Sequence, residues 1–170
     1  MLYPPSVPRL ALVILSVALT LALSTPAAEA QVGRFDGGGV VFGFNKPCRD
    51  GGWRATESYN VRYHPARLGD NGNRESITFS MPWHTLSFVQ NRGRFTNRFQ
   101  RVDHGGSFAR PFFITARDRN AAQVRVTNRT PANLAPGTRA PVRIQGQIRN
   151  WGGLRGCNVR FAVFVAQQID

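Results

Sequence analysis

The segment Val142-Arg143-Ile144-Gln145-Gly146-Gln147-Ile148-Arg149 alternates apolar and polar residues without a break, and its reading decides the fold class. Successive side chains of a strand point to opposite faces. Val142, Ile144, Gly146 and Ile148 therefore face a core, and Arg143, Gln145, Gln147 and Arg149 face solvent. Asn150-Trp151-Gly152-Gly153 supplies turn chemistry, after which Cys157, Val159, Phe161, Val163 and Val165 share one face of a returning strand. The other face of that strand, with Arg160, Ala162, Phe164 and Ala166, is mixed, as in the interior of a sheet.

The same period of two recurs upstream. Tyr59, Val61 and Tyr63 alternate with Asn60, Arg62 and His64, and Ile77, Phe79 and Met81 alternate with Ser76, Thr78 and Ser80. Val40 to Phe44, Thr85 to Gln90, Phe95 to Val102, Arg110 to Ala116 and Gln123 to Thr127 read as further strands. Asp70-Asn71-Gly72-Asn73, Asn91-Arg92-Gly93-Arg94 and His104-Gly105-Gly106 read as turns between them. Helical periodicity is nearly absent. The expected fold is an all-β antiparallel sandwich of about eight or nine strands, immunoglobulin-like or jelly-roll-like, with a closed β-barrel as the alternative. Asn128 to Pro141, with three prolines and little periodicity, reads as a long crossover or exposed loop. Within it Asn128-Arg129-Thr130 is a formal glycosylation acceptor, in poor context before Pro131.

Residues 1–30 read as a cleavable signal peptide ahead of a single basic domain, 31–170. Arg9 precedes an apolar run from Leu10 to Leu23, Pro26 breaks the helix, and Ala28-Glu29-Ala30 places small residues where signal peptidase needs them, so the mature start falls at Gln31. The run is shorter than the roughly 18 residues of a spanning helix, so the cleaved chain is not expected to be an integral membrane protein. No cysteine stands directly after the cleavage point, the first being Cys48, which argues against a lipid anchor there. The address is secreted or periplasmic.

The leader holds one base, Arg9, and one acid, Glu29. Removing it leaves the net charge of +13 unchanged. Lys46 is the only lysine among the basic residues. Such an excess of arginine has two readings: bidentate contacts to phosphate, sulfate or carboxylate, or codon usage in a G+C-rich genome. Under either reading an exported domain this basic attracts anionic polysaccharides, anionic lipid head groups or acidic proteins, in a salt-dependent way. Nucleic acid is not expected as a partner outside the cell.

Cys48 and Cys157 occupy an oxidising compartment and are expected to form one disulfide, closing a loop of more than a hundred residues. The chain-entropy relation assigns such a loop about 4 to 5 kcal/mol. Each cysteine is accompanied by a tryptophan and paired glycines, in Cys48-Arg49-Asp50-Gly51-Gly52-Trp53-Arg54 and in Trp151-Gly152-Gly153-Leu154-Arg155-Gly156-Cys157. A disulfide brings these segments together. The candidate binding patch is thus Trp53 and Trp151 ringed by Arg49, Arg54 and Arg155, suited to stacking sugar rings and pairing with acidic groups. The competing reading has both tryptophans capping the core.

Other constellations are weaker. His64, His84 and His104 recur every 20 residues, but their neighbours do not repeat, and alternation puts His64 and His84 on wet faces or strand ends, so no metal site is expected. Asp103, His104 and Ser107 hold the residue types of a hydrolase triad within one predicted turn, where the directed geometry of a triad rarely forms. Carboxylates are too few, and too often in turns, for a glycosidase pair or a calcium cage. No cofactor is expected. The functional expectation is a non-enzymatic exported β-domain that binds an anionic envelope component or an acidic partner protein. The alternatives are a structural subunit of a surface assembly and a histidine-based metalloenzyme.

Overall fold

The computed structural model describes residues 34–53, 55–66, 74–107, 110–134 and 140–167. The leader, residues 1–30, lies outside them. Among the described residues nine strands form: β1 (Phe35–Phe42), β2 (Glu57–His64), β3 (Glu75–Met81), β4 (His84–Gln90), β5 (Gln100–Ser107), β6 (Pro111–Ile114), β7 (Ala122–Thr130), β8 (Val142–Arg149) and β9 (Asn158–Gln167). One short helix, α1 (Lys46–Asp50), and a 3-10 turn, Trp151–Gly153, complete the set.

All pairings between these strands are antiparallel, in the order β4-β3-β2-β1-β9-β8-β7-β5, and β4 also pairs with β5. The sheet thereby closes into an eight-stranded barrel, the second of the two all-β arrangements expected. β5 makes closure possible by dividing its length: Gln100–Val102 pair with β7, and Asp103–Ser107 pair with β4. β6 pairs with β5 over Pro111–Ile114 and stands outside the ring. Consecutive strands are neighbours almost throughout, so the meander continues round until β9 meets β1. Closure leaves little open edge among the described ring strands, the main stretch being β7 beyond Val124 on its β5 side.

The crossover half of the expectation for Asn128 to Pro141 fails, because β7 and β8 are adjacent antiparallel strands, while 131–134 and 140–141 are irregular and largely exposed, as the loop half has it. β7 runs on to Thr130 and stays paired with β8, but its register shifts between Val126 and Asn128. An extra residue at a bulge resets the alternation, so Arg129, opposite Ile144, turns toward the interior. There it meets Glu75, which is fully buried at the end of the barrel where β1 begins. The Glu75 carboxylate accepts from the Arg129 guanidinium, the Phe95 amide and, at 2.5 Å, the Tyr63 hydroxyl. Burial pushes the Glu75 carboxyl upward and Arg129 opposes it. With three donors on one carboxylate, this buried charge is satisfied rather than exposed for chemistry.

Eight strands enclose a space that side chains can fill. Phe79 sits at its centre, with Trp151, Tyr59, Phe161 and Phe88 around it at ring-centroid distances of 5.5, 5.6, 5.8 and 6.2 Å, all edge-on. Edge-to-face contacts of this kind add to the burial of apolar area. Gly146 makes room for one of these rings, since a Cβ there would lie 2.6 Å from the Phe161 ring and 2.3 Å from the Arg125 carbonyl oxygen. With its interior packed, the barrel must meet a large ligand on its rim or its outer wall.

Candidate functional site

At the end of the barrel opposite Glu75, Cys48 and Cys157 sit at disulfide-bonding distance, with Cα atoms 4.5 Å apart. Asn45 ties the same junction together: its side-chain amide donates to the Gly156 carbonyl and its side-chain oxygen accepts from the Asn158 amide, both at 2.9 Å. The two Gly-Trp segments therefore meet, as the expected disulfide required.

They meet inside. Trp151 is 0% exposed and Trp53 8%. Trp53 stacks on Phe44 at 6.0 Å and stands edge-on to Trp151 at 5.7 Å. With Trp151 fully buried and Trp53 nearly so, the pair plugs the barrel end instead of forming a sugar platform. A barrel end without a plug would leave Phe79, Phe88 and Phe161 wet, and burying rings of this size removes far more apolar area from water than any polar alternative. Arg49 is exposed and donates to the Phe44 carbonyl at 2.6 Å, Arg155 is exposed, and Arg54 lies outside the described residues.

Beside the plug is a cleft of about 370 Å³, lined by Trp53, Glu57, His84, Leu154 and three glycines. A hydrogen-bond chain runs along it. Tyr59 donates its single proton to Glu57 Oε2 at 2.5 Å, so at 3.1 Å its oxygen accepts from His84 Nε2–H. Burial lowers the His84 pKa, with Glu57 acting against it, and burial together with Glu57 holds the Tyr59 phenol protonated. His84 is therefore buried, at the strand end that was one of the two expectations and not on the wet face that was the other. β4 begins with it, and the alternation His84, Leu86, Phe88, Gln90 points inward throughout.

His104 is a second departure from expectation. It lies in β5, not in a turn, and is fully buried. The neighbouring glycines serve packing: a Cβ on Gly106 would fall 2.7 Å from the Phe112 ring and 2.7 Å from the Thr85 carbonyl oxygen. Phe88 lies between His104 and Trp151 in a stack, at 5.9 and 5.4 Å. His104 Nδ1 accepts from the Ala122 amide at 3.3 Å, so the neutral ring carries its proton on Nε2, which has no hydrogen-bond partner among the described residues. Burial brings its pKa down to about 4. Asp103 and His104 are adjacent strand residues on opposite faces, and Asp103 is held by Asn91 and the Ala116 amide, so no triad assembles with Ser107. Nor do the three histidines meet: among the described residues no three His, Cys, Asp or Glu side chains are placed to hold a metal ion.

The outer wall over β5, β7, β8 and β9 has a different character. Register aligns Arg101 with Gln123 and Arg149, and Arg125 with Gln147 and Arg160. Arg125 donates to Gln147 at 2.9 Å. The guanidinium groups of Arg149 and Arg125 approach the Phe99 ring at 3.8 and 4.7 Å, which pre-orients both. Strands β7, β8 and β9 contain no carboxylate, and their arginines other than Arg129 face outward. Arg101 influences Asp118, and β5 itself carries Asp103. The alternation of Arg143 to Arg149 already placed two of these cations on solvent. The alignment of Arg149 with Arg101, and of Arg125 with Arg160, depends on register between distant strands.

No family model, no curated protein and no solved structure matches the chain.

Proposed function

We propose that this chain is an exported binding domain without catalytic chemistry of its own, and that it holds an anionic component of the cell envelope on the outer wall of β5, β7, β8 and β9. The observation that carries this reading is the pair of aligned rows, Arg101-Gln123-Arg149 and Arg125-Gln147-Arg160, on strands of which three carry no acid. Planar guanidinium groups spaced by amides present many donors to phosphate, sulfate or carboxylate oxygens, and the net charge of +13 concentrates such ligands at the surface. The export that brings the domain to such a ligand is part of the proposal and rests on the leader. A surface assembly built by pairing sheet edges has less support, because among the described strands only β6 and the end of β7 beyond Val124 keep a side without a strand partner.

The test compares the purified, oxidised protein with an Arg125→Gln, Arg149→Gln, Arg160→Gln variant on immobilised acidic polysaccharide and on vesicles containing an anionic lipid. The parent is expected to bind at low salt and to be released as NaCl approaches about 1 M, where screening reaches within roughly 3 Å of each charge. The variant is expected to elute much earlier. Equal retention of the two would overturn the assignment of the wall.

A further inference from the structure

We propose that the groove on the outer wall over Gly38 and Phe164 is a subsite for a sugar ring, which makes the anionic component an acidic polysaccharide. This deepens the reading above and rests on it. β1 carries three successive glycines, and packing accounts for only two. A Cβ on Gly37 would lie 2.3 Å from the Phe164 carbonyl oxygen, and one on Gly39 would lie 2.9 Å from methyl groups of Val61 and Val163. A Cβ on Gly38 would meet nothing closer than the Tyr59 carbonyl oxygen at 3.9 Å. The barrel has room for a side chain there and does not carry one. The position is left bare toward solvent, where it floors a groove of about 570 Å³.

The row through Gly38 shows what the groove fits. Register places Arg143 opposite Phe164, Phe164 opposite Gly38, and Gly38 opposite Asn60. Phe164 is 60% exposed, a large ring left in water on a sheet whose interior is full of rings. Val40 and Ala162 add to the carbon floor, and Ser58 lies at its side. A pyranose ring matches this surface: its C–H face rests on Phe164 and the bare backbone, its hydroxyls reach Ser58 and Asn60, and a carboxylate or sulfate reaches Arg143.

Competing occupants fit less well. β1 is hydrogen-bonded to β2 on one side and β9 on the other, so an extended peptide finds no free backbone for strand addition. A second copy of the chain would bring Arg143 and Arg160 against like charges. Arg143 stands four residues along β8 from Gln147, about 13 Å at the rise of a strand, so the groove and the Arg125-Gln147-Arg160 row are spanned by a polymer and not by one small anion.

The experiment measures affinity of the oxidised protein for oligogalacturonate, a matched neutral galactan, polyglutamate and vesicles of phosphatidylcholine with phosphatidylglycerol. It uses the parent, Gly38→Thr, Phe164→Ala and the triple arginine variant. Gly38→Thr and Phe164→Ala are expected to weaken oligogalacturonate about tenfold and to leave polyglutamate unchanged, while the triple variant weakens both. Thermal melting checks folding, and Gly38→Thr should melt no lower than the parent, since threonine suits an exposed strand position. If the two groove variants bind oligogalacturonate as the parent does, the sugar subsite is overturned while the arginine wall stands. If polyglutamate or the vesicles become the ligand sensitive to Gly38 and Phe164, the groove belongs to a peptide or a lipid and the proposal fails. If the parent binds no polyanion, the wall reading falls and the subsite with it.

Discussion

Acid should destabilise this barrel in a window set by His104. The ring is fully buried, its Nδ1 is committed to the Ala122 amide, and its pKa is brought from 6.5 down to about 4 by burial. In the unfolded chain the same imidazole titrates near 6.5, so between about pH 6.5 and pH 4 the unfolded state binds the extra proton. Stability therefore rises with pH through that window and is lost as pH falls. For one group with these two pKa values, linkage predicts a loss of about 2.5 kcal/mol between pH 7 and pH 4.5. That is a large share of a typical domain stability of 5 to 15 kcal/mol. The assay is urea unfolding at pH 7, 6, 5 and 4.5 of the parent and of His104→Gln, whose amide oxygen still accepts from Ala122. Other groups titrate equally in both proteins, so the difference between the two profiles isolates His104. The Gln variant should be flatter by about 2.5 kcal/mol over the range. Parallel profiles would refute the burial argument.

Two further outcomes follow from the disulfide-capped end. Replacing Cys48 and Cys157 together by serine should lower stability by about 5 kcal/mol for a separation of 109 residues, read from the urea midpoint against the oxidised parent. A loss below about 1 kcal/mol would mean that β1–β9 pairing already holds the ends without the crosslink. Trp151→Ala should cost about 3 to 5 kcal/mol because the ring fills the barrel end, whereas Arg49→Ala and Arg155→Ala should stay within about 0.5 kcal/mol. A Trp151 variant as stable as the parent would return that indole to the surface.

Much of the architecture was legible. The alternation of Val142 to Arg149 and of Cys157 to Ala166 identified two strands and their inward faces correctly, and the expected partners Cys48 and Cys157 lie at bonding distance across more than a hundred residues. The site was less legible. Trp53 and Trp151 were brought together by the same inference, but whether they stack outward or plug inward depends on what fills the barrel, which no local pattern states. The burial of His84 and His104 was missed for a related reason. Each opens or interrupts an apolar pattern as a polar residue, and its burial rests on partners from other strands: Tyr59 and Trp53 for one, Ala122 and Phe88 for the other.

By itself the sequence determined the strand class, the inner and outer faces of most strands, the charge and the pairing of the cysteines, because side-chain period and composition are properties of single segments. The tertiary structure alone decided closure of the ring, the inward turn of Arg129 after its bulge, the alignment of Arg101, Arg125, Arg149 and Arg160 into one wall, and the bare floor at Gly38. Each of these depends on register between strands far apart in the chain. Register is set by the packing of the whole barrel, where a slip of one residue would send every arginine of a strand to the opposite face.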